Sequence, residues 1–279
     1  MELRLGNRIL TLDEPRVMGI VNVTPDSFSD GGDYLSLEHA VARAAEMYEQ
    51  GADIIDIGGE STRPGAVEMP LKEELDRVLP VIEAIAAQLD IAISVDTSKP
   101  QVMQHAVDAG AVMINDVFAL RQEGAMEVAR DLDAAICLMH MRGTPRNMQA
   151  APEYDQLPQD VISFLAGRVE ACSRAGIGRE RLVVDPGFGF GKNDEHNLQI
   201  LANLDQFAEL GLPLLVGLSR KKTLGNLTGR PARERGPAGI AAALAAVSRG
   251  AHIVRTHDVA GTVDALKIAN AVSKAGQVK

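Results

Sequence analysis

The chain has 279 residues with 46% hydrophobic and only 3% aromatic content, and its formal net charge at pH 7 is −10. This length and composition fit one α/β barrel as well as two ordinary domains, with an aliphatic core in either case. The acidic balance argues against nucleic acid or an anionic membrane surface as a partner. A phosphorylated small molecule is still allowed, because a few local cations and backbone amides can hold it.

The chain carries no pattern typical of export or of membrane insertion. Residues 1–10 lack the long apolar segment of a secretory signal, and no later run approaches the length of a membrane span. The two cysteines, Cys137 and Cys172, have no metal-ligand spacing and are expected to be buried, reduced thiols. We therefore expect a soluble, cytoplasmic protein with no membrane partner.

In chain order, the first predicted element is a short β-hairpin of residues 2–5 and 8–10 that closes the bottom of a barrel. Eight segments then run apolar and end in polar residues, as buried parallel strands that lead into a site do. These segments are 17–23, 53–60, 91–97, 111–116, 134–140, 181–186, 212–219 and 252–257.

Apolar residues at helical spacing lie between these segments. The predicted helices are 36–50, 71–88, one begun by Pro100, 155–176, 193–209, a short one near 220–226, 233–249 and 260–275. Pro80 predicts a kink in the second helix or a later start for it. Because strand and helix alternate without a linker, we predict a single domain over residues 1–279. A (β/α)8 TIM barrel is favoured over an open doubly wound sheet.

A barrel brings the carboxyl ends of all its strands to one rim, so polar residues far apart in sequence form one pocket. The polar residues at these ends are Asn22, Asp56, Asp96, Asn115, Asp185, Arg255 and His257. Any one of them alone could be a helix cap or a loop hydrogen bond. Six strands that end in this way together favour a functional site.

Asp185 is followed by residues 186–192, in which three glycines alternate with Phe188 and Phe190. This spacing is not that of a nucleotide-binding glycine motif, so a flexible loop is one interpretation. The other interpretation is that the glycines let the backbone approach a flat ligand and that both rings contact it.

Basic residues also cluster in the predicted rim loops, namely Arg63, Arg220, Lys221, Arg255 and His257. A lone basic cluster is usually a solvated face, but cations after the last two strands fit the phosphate position of TIM barrels. We therefore predict a polyanionic ligand. Any metal would be a hard cation shared with a phosphate, with Asn22 as a plausible oxygen ligand, and the role of His140 stays open.

Seven motifs spread over the full chain resemble those of the bacterial dihydropteroate synthases, and the two longest are highly specific. They are residues 17–32, 56–65, 94–97, 114–116, 185–192, 217–221 and 255–257. No motif position departs from the family pattern.

The resemblance implies a homodimeric (β/α)8 barrel of folate biosynthesis. It would join 6-hydroxymethyl-7,8-dihydropterin diphosphate to 4-aminobenzoate and release pyrophosphate with Mg²⁺ bound, and sulfonamides would compete with 4-aminobenzoate. The C-terminal helices, with the alanine-rich segment 240–247, would form the dimer contact, and ordinary packing of the same alanines on the barrel is the alternative.

The resemblance also assigns residues to each ligand. Asp96, Asn115, Asp185 and Lys221 would hold the pterin. Asn22, Arg63, Arg255 and His257 would hold the diphosphate, and Asn22 would also touch the metal. The 4-aminobenzoate side would consist of Phe28, Thr62, Arg63, Pro64, Phe190, Ser219 and Arg220.

In the implied reaction, loss of diphosphate leaves a cation delocalised over the pterin ring. Asp30 and Asp96 would stabilise this cation, and Lys221 would be the third catalytic residue. The arylamine can then attack without a strong base, so neither a nucleophilic side chain nor a covalent enzyme intermediate is predicted. The loops at 24–35 and 60–70 are expected to close over both substrates and exclude water.

Two other functions stay open. A pterin-binding methyltransferase barrel would use similar Asp and Asn strand ends but needs no diphosphate clamp, so Arg63, Lys221, Arg255 and His257 favour the synthase. A catalytically silent pterin-binding relative is the second alternative, against which the complete set of loop and cation motifs argues.

Overall fold

A computed structural model of the chain describes residues 1–23, 33–61, 65–150 and 152–277, without the side chains of residues 33–36 and 277. The predicted hairpin forms first, with strands β1 (Glu2–Leu5) and β2 (Arg8–Thr11) paired antiparallel. None of the helices in the described residues combines the length and the hydropathy that a membrane span needs.

Eight parallel strands of the described residues form the main sheet. They are β3 (Arg16–Asn22), β4 (Ile54–Gly58), β5 (Ala92–Asp96), β6 (Met113–Asp116), β7 (Ala135–Met139), β8 (Leu182–Asp185), β9 (Leu215–Val216) and β10 (Ile253–Thr256). Their order in the sheet is β8-β7-β6-β5-β4-β3-β10-β9. A parallel bridge between Val184 and Leu214, with Val184 N donating to Pro213 O at 3.0 Å, joins the two ends. The predicted (β/α)8 barrel is therefore confirmed.

Helices cover the outside of this barrel. Within the described residues they are α1 (Asp33–Glu49), α2 (Leu71–Gln88), α3 (Pro100–Asp108), α4 (Ala125–Asp131), α5 (Gln159–Ala175), α6 (Asp194–Ala202), α7 (Lys222–Thr228), α8 (Gly236–Val247) and α9 (Val259–Gln277). The predicted helix over 193–209 is divided, because Asn203 leaves helical geometry and residues Leu204–Leu210 continue as a 3₁₀ helix. The short helix after β9 is confirmed as α7.

Two alternatives were expected for the second helix, a kink at Pro80 or a later start, and the later start is wrong. Helix α2 runs through Pro80, although proline removes one hydrogen bond of the helix interior. Four residues of its inner face, Val78, Val81, Ile82 and Ile85, are fully buried against the barrel. Tertiary packing of this face therefore stabilises the helix in spite of the proline.

The hairpin closes the bottom of the barrel, as predicted. Leu3 and Leu5 are buried in a cluster with residues from the strand starts, among them Met18, Ile54 and Ile253. Burying these side chains stabilises the end of the barrel opposite to the strand carboxyl ends, which leaves the other end for chemistry. Cys137 lies in the same cluster and Cys172 in the main core, and both are free thiols as predicted.

Arg181 joins α4 to the start of β8. Its buried guanidinium donates to the carbonyl oxygens of Ala129, Leu132 and Ala134, at 2.7, 2.6 and 2.8 Å. These carbonyls belong to the end of α4 and the residues after it, which lack helical partners. The single guanidinium therefore satisfies several buried acceptors at once.

Arg181→Met is expected to lower the free energy of unfolding by on the order of 3 kcal/mol, since each buried carbonyl that is left without a hydrogen-bond donor costs about 1–3 kcal/mol. Urea denaturation followed by circular dichroism measures this change. Arg130→Met is the matched control, because Arg130 is exposed at the end of α4 and pairs only with the adjacent Asp131 among the described residues. An Arg181 variant as stable as the control would contradict this role.

Candidate active site

The strand register brings the predicted site residues to one rim. Asn22 of β3 lies opposite Gly58 of β4, Gly58 lies opposite Asp96 of β5, and Asp96 lies opposite Asn115 of β6. Side chains that are two residues apart in a strand share a face, so Asp56 and Gly58 both face the barrel axis with these neighbours. The carboxyl end of the barrel is consequently polar, while its other end is apolar.

Arg255 of β10 contacts side chains from two other strands, and a third strand joins them through Asp56. Its Nε donates to Asp56 Oδ2 at 2.6 Å and its Nη2 donates to Asp96 Oδ2 at 2.7 Å. Asn115 Nδ2 donates to the same Asp56 oxygen at 3.1 Å. A guanidinium, two carboxylates and one amide thus form a single hydrogen-bonded group across the mouth of the barrel.

Burial and charge change the proton affinities in this group. The pKa of Asp96 is raised to about 7, chiefly by burial; Arg255 opposes this rise, and the neighbouring carboxylates Asp56, Glu74 and Asp116 contribute to it. Burial alone would lower the pKa of Arg255, but Asp56 and Asp96 raise that pKa above its ordinary value. Arg255 is therefore a permanent cation, whereas Asp96 changes charge near neutral pH.

Asp185 and Lys221 form the second half of the mouth. Asp185 Oδ1 accepts a hydrogen bond from Gly187 N at 2.7 Å, and no hydrogen bond within the described residues occupies its other oxygen. Burial raises the pKa of Asp185, while Gly187 N, Lys221 and Arg255 oppose that rise. Burial and Arg255 lower the pKa of Lys221 to about 8. The ammonium of Lys221 lies 4.2 Å from the centroid of the Phe190 ring, within cation–π range.

The glycine loop after Asp185 is shaped by close backbone contacts. Gly187 has φ 69°, and a Cβ built on it would lie 2.0 Å from the carbonyl oxygen of His140, so no other residue fits there. The interpretation that both loop rings contact a ligand is wrong for Phe188, which is 2% exposed and buried in the main core. Phe190 is half-buried and packs on Met139, Met141 and Met148.

The loops after β9 and β10 carry the predicted anion-binding residues. His257 N donates to Ser219 Oγ at 3.2 Å, and His257 Nδ1 lies 3.1 Å from the same hydroxyl. Burial, Arg220 and Arg255 lower the pKa of His257 to about 3, so its ring is neutral and Nδ1 can accept the hydroxyl proton. The ring proton is then on Nε2, which can donate to an anion.

Arg220 is turned toward the helix that follows β10. Its Nη2 pairs with Asp258 Oδ1 at 2.9 Å, and its buried Nε has no partner within the described residues. Its backbone has φ 59°, which is uncommon for a residue with a side chain.

Asn22 supplies an oxygen beside a gap that a glycine creates. A Cβ built on Gly58 would lie 3.8 Å from both Asn22 Oδ1 and Asp96 Oδ2. The described residues contain no group of three or more His, Cys, Asp or Glu that could hold a metal ion. This arrangement fits Mg²⁺, which uses one or two protein oxygens and takes its other ligands from water and phosphate.

Several predicted site residues fall on segments that the structure does not describe. Asp30, predicted to be catalytic, lies in residues 24–32, outside the described residues. The same holds for Phe28, Thr62, Arg63 and Pro64, all predicted on the 4-aminobenzoate side. Their roles stay predictions.

Two polar groups were assigned no ligand from the sequence. Asp56 was predicted at the rim, because it interrupts the otherwise apolar strand β4 at an inward position, but its pairing with Arg255 was not predicted. Beside it, buried Glu74 of α2 accepts from Thr97 Oγ1 at 2.6 Å and from Lys99 Nζ at 2.6 Å. Lys99 also pairs with Glu60, which links the loop after β4 to the residues that follow Asp96. No sequence spacing marks this second group.

Known proteins are similar to this chain in both sequence and fold. The sequence profile of the family described as "Pterin binding enzyme" matches residues 18–257. The dihydropteroate synthase of Escherichia coli (strain K12) is 49% identical over 279 residues, which are 100% of this chain and 99% of that protein.

Two solved structures of the Xanthomonas albilineans dihydropteroate synthase are also similar to this chain. The structure with 4-aminobenzoic acid has a TM-score of 0.93 and 55% identity, and it covers 98% of both chains. The structure in complex with 7,8-dihydropteroate has a TM-score of 0.88 and 49% identity, and it also covers 98% of both chains.

A (β/α)8 barrel that gathers carboxylates, an amide and cations at one mouth, and that matches this profile, is a pterin-binding enzyme. Within that class the chain belongs to the dihydropteroate synthase family, whose members are transferases of folate biosynthesis.

Proposed function

We propose that this enzyme makes 7,8-dihydropteroate and pyrophosphate from 6-hydroxymethyl-7,8-dihydropterin diphosphate and 4-aminobenzoate. The observation that carries the proposal is the contact of Arg255 with both Asp56 and Asp96 at the barrel mouth, beside Asp185 and Lys221. Such a mouth offers acceptors to a flat heterocycle and cations to its leaving anion. The 4-aminobenzoic acid and 7,8-dihydropteroate bound by the Xanthomonas albilineans relative support these substrates.

The pterin ring would be held by groups with hydrogen-bonding capacity to spare. Asp185 has one carboxylate oxygen that the described residues leave unused, and it can accept from adjacent N–H donors of the ring. Asn115 donates to Asp56, which leaves its amide oxygen to accept from the ligand. Lys221 can donate to the ring oxygen. An analogue that lacks a matching group would leave these buried atoms without hydrogen-bond partners, so the site would select the pterin over such analogues.

The diphosphate would lie between β3 and β10. Arg255 and the Nε2–H of His257 would donate to its oxygens, with Arg63 as the third donor predicted from the resemblance. Asn22 would hold Mg²⁺ through its side-chain oxygen, beside the gap above Gly58. Bound Mg²⁺ would neutralise the negative charge that develops on the leaving diphosphate.

The reaction would begin with cleavage of the bond between the pterin methylene carbon and the diphosphate oxygen. The bonding electrons leave with the diphosphate, and the positive charge that remains spreads over the ring. Asp96, and Asp30 by resemblance, would stabilise that charge. The amine nitrogen of 4-aminobenzoate then forms the new C–N bond and releases one proton, and no covalent bond to the enzyme is formed.

The 4-aminobenzoate would lie on the side of Phe190 and Ser219, with Phe28, Thr62, Arg63, Pro64 and Arg220 completing that side as the resemblance implies. Sulfonamides share the arylamine and would compete for the same position. Inhibition by a sulfonamide that is competitive toward 4-aminobenzoate and not toward the pterin diphosphate would support this assignment.

Product analysis tests the proposed reaction. Purified protein is incubated with Mg²⁺ and both substrates, and with each substrate omitted in turn, and pyrophosphate and 7,8-dihydropteroate are quantified. Equimolar formation of the two products is expected only in the complete mixture. Pterin binding without pyrophosphate release would instead indicate a silent pterin-binding protein, and methyl transfer would indicate the methyltransferase alternative.

The pH dependence follows from two residues of the mouth. Because Asp96 must lose its proton to stabilise a cation, kcat/KM for the pterin diphosphate is expected to rise with pH through about 7. Because Lys221 must keep its proton, kcat/KM is expected to fall above about 8. Lys221→Arg should move the falling limb to higher pH, since a guanidinium stays protonated. If the falling limb of Lys221→Arg stayed at the same pH as that of the exposed control Lys222→Arg, the assignment of this limb to Lys221 would be contradicted.

We also propose that the enzyme is a homodimer through its C-terminal helices. Ile268 and Val272 of α9 are each 68% exposed and stand one helical turn apart, so they form an apolar surface that a second copy could cover. Light scattering is expected to report a dimer for the wild-type enzyme and a monomer for the double variant Ile268→Lys, Val272→Lys. Val67→Lys, which changes an 87% exposed loop residue, is expected to leave the dimer intact.

We propose a cytoplasmic location on the basis of the two cysteines. Both are free and buried. Burial raises the pKa of Cys137 well above its ordinary value and that of Cys172 to about 11, so neither is suited to disulfide chemistry. Cell fractionation with an antibody to the protein tests this location.

A further inference from the structure

Lys192 follows the glycine loop directly, and its side chain is almost completely buried, with 2% exposed. Its Nζ donates to Gly187 O at 2.9 Å and to Phe190 O at 3.0 Å, and it lies 2.9 Å from His140 Nδ1. An ammonium group has three N–H donors, and these three contacts use them all. Lys192 therefore links two carbonyl groups of the loop to His140, the residue that follows β7.

His140 is arranged to accept this hydrogen bond. Burial and the charge of Lys192 lower the pKa of His140 to about 2, so the ring stays neutral. When Lys192 is protonated its ammonium has no lone pair, so Nδ1 is then the acceptor and the ring proton is on Nε2. The edge of the ring packs against Phe164 of α5 at a centroid distance of 4.9 Å, which fixes its orientation.

Other side chains bind the remaining peptide groups of the same loop. Gln149 Nε2 donates to Gly189 O and Tyr154 Oη donates to Gly191 O, each at 2.7 Å. Gly189 N donates to Asn197 Oδ1 at 2.8 Å. The backbone from Gly187 to Gly191 is thus held by side chains throughout, although its glycines would otherwise make it flexible.

Lys192 is unusual because it is a buried cation without a salt bridge. No carboxylate of the described residues lies within ion-pairing distance of its Nζ, and burial lowers the pKa of Lys192 to about 7. Its largest favourable charge interaction is with Asp185, and its own charge in turn opposes the rise in the pKa of Asp185. A buried unpaired ammonium is costly, so an apolar side chain would be expected if the position served packing alone.

We propose that Lys192 is a positioning residue of the pterin and 4-aminobenzoate sites. By holding Gly187 O, Phe190 O and His140 at once, it fixes the backbone that presents Asp185 and Phe190 to the substrates. Its charge also favours the ionised form of Asp185, which accepts from the pterin. This inference rests on the proposed function and adds a residue to which no role in that function has been given.

The test compares Lys192→Met with the control Lys72→Met, which removes a lysine that is 86% exposed. Three measurements are made on the intact enzyme: hydrogen exchange of the amides of residues 187–191, the Kd for 7,8-dihydropteroate, and the pH profile of kcat/KM. Lys192→Met is expected to lose protection in this loop and to raise the Kd by about 10-fold or more, as loss of a charge-assisted hydrogen bond does. Asp96 sets the acid limb in the wild-type enzyme, and Asp185 must also be ionised to accept from the pterin. Loss of the nearby cation raises the pKa of Asp185, so the acid limb should move to higher pH.

A second pair of variants keeps the test valid if Lys192→Met does not fold. His140→Asn retains an acceptor near the position of Nδ1, whereas His140→Leu removes it. His140→Leu is expected to raise the Kd by about 3- to 10-fold and His140→Asn by less than about 2-fold. A purely structural role would lower stability in both and would leave the pH limb unmoved.

The outcomes separate the two proposals. The positioning role is overturned if Lys192→Met folds and its loop hydrogen exchange, its Kd and its acid limb are all unchanged. Equal Kd values for the two His140 variants would also overturn it. Absence of product from the wild-type enzyme overturns the proposed reaction instead, while the exchange and binding measurements still decide the role of Lys192.

Discussion

Asp185→Asn is expected to lower kcat/KM for the pterin diphosphate by about 10²- to 10⁴-fold, since losing a buried, charge-assisted contact costs about 2–5 kcal/mol. Gly187 N donates to Asp185 Oδ1, so an asparagine would keep its oxygen at that position. Its NH2 group would then face the N–H donors of the pterin, and donor would meet donor. Pterin affinity and turnover should therefore both fall.

Steady-state kinetics with the pterin diphosphate varied, together with calorimetric titration of 7,8-dihydropteroate, measure this effect. Asp13→Asn is the control, because Asp13 is 80% exposed and precedes β3, at the opposite end of that strand from Asn22. Circular dichroism establishes that both variants are folded. An Asp185→Asn enzyme with the kcat/KM of the control would remove Asp185 from the pterin site.

Arg255→Met is expected to lower the free energy of unfolding by about 3–5 kcal/mol, because removing one partner of a buried ion pair leaves an uncompensated charge. Here the guanidinium contacts both Asp56 and Asp96, so two carboxylates lose their partner. Product formation should be lost as well, since the same guanidinium is proposed to receive the diphosphate.

The loss of stability should depend on pH with a defined sign. The pKa of Asp96 is raised to about 7 in the folded enzyme, so below that pH the residue can take up a proton and the variant no longer buries that charge. Urea denaturation is expected to show a smaller difference from the wild type at about pH 5 than at about pH 8. Arg174→Met, which removes an exposed ion pair, should show almost no difference at either pH. If Arg255→Met lost the same free energy of unfolding at both pH values, the role of the carboxylates would be contradicted.

The architecture could be predicted because strand ends have a distinctive pattern. Several barrel strands are apolar runs that end in a polar residue, as at Asn22, Asp96 and Asp185, and parallel strands end at one rim. The order of the strands then follows from the alternation with helices. The predicted pterin-binding residues therefore lie on one rim, where Asn115 and Asp96 both connect to Arg255 or its partner Asp56.

Other features depend on tertiary contacts that no local pattern encodes. The pairing of Asp56 with Arg255 joins residues 199 positions apart, and the contact of Lys192 with His140 joins residues 52 positions apart. Phe188 and Phe190 have similar neighbours in the sequence. Phe188 is buried in the core and Phe190 is only partly buried, and the sequence pattern does not show this difference. Pro80 marks an end for a helix considered alone, but not for one whose inner face is packed on a barrel.

Convergence of distant side chains on one pterin at the barrel mouth can be observed in a crystal structure of this enzyme with 7,8-dihydropteroate. We expect the pterin ring within hydrogen-bonding distance of Asp96, Asn115, Asp185 and Lys221, with the aryl group toward Phe190 and Ser219. A pterin ring bound elsewhere, with Asp185 and Asn115 making no contact to it, would show that these side chains do not form the pterin site.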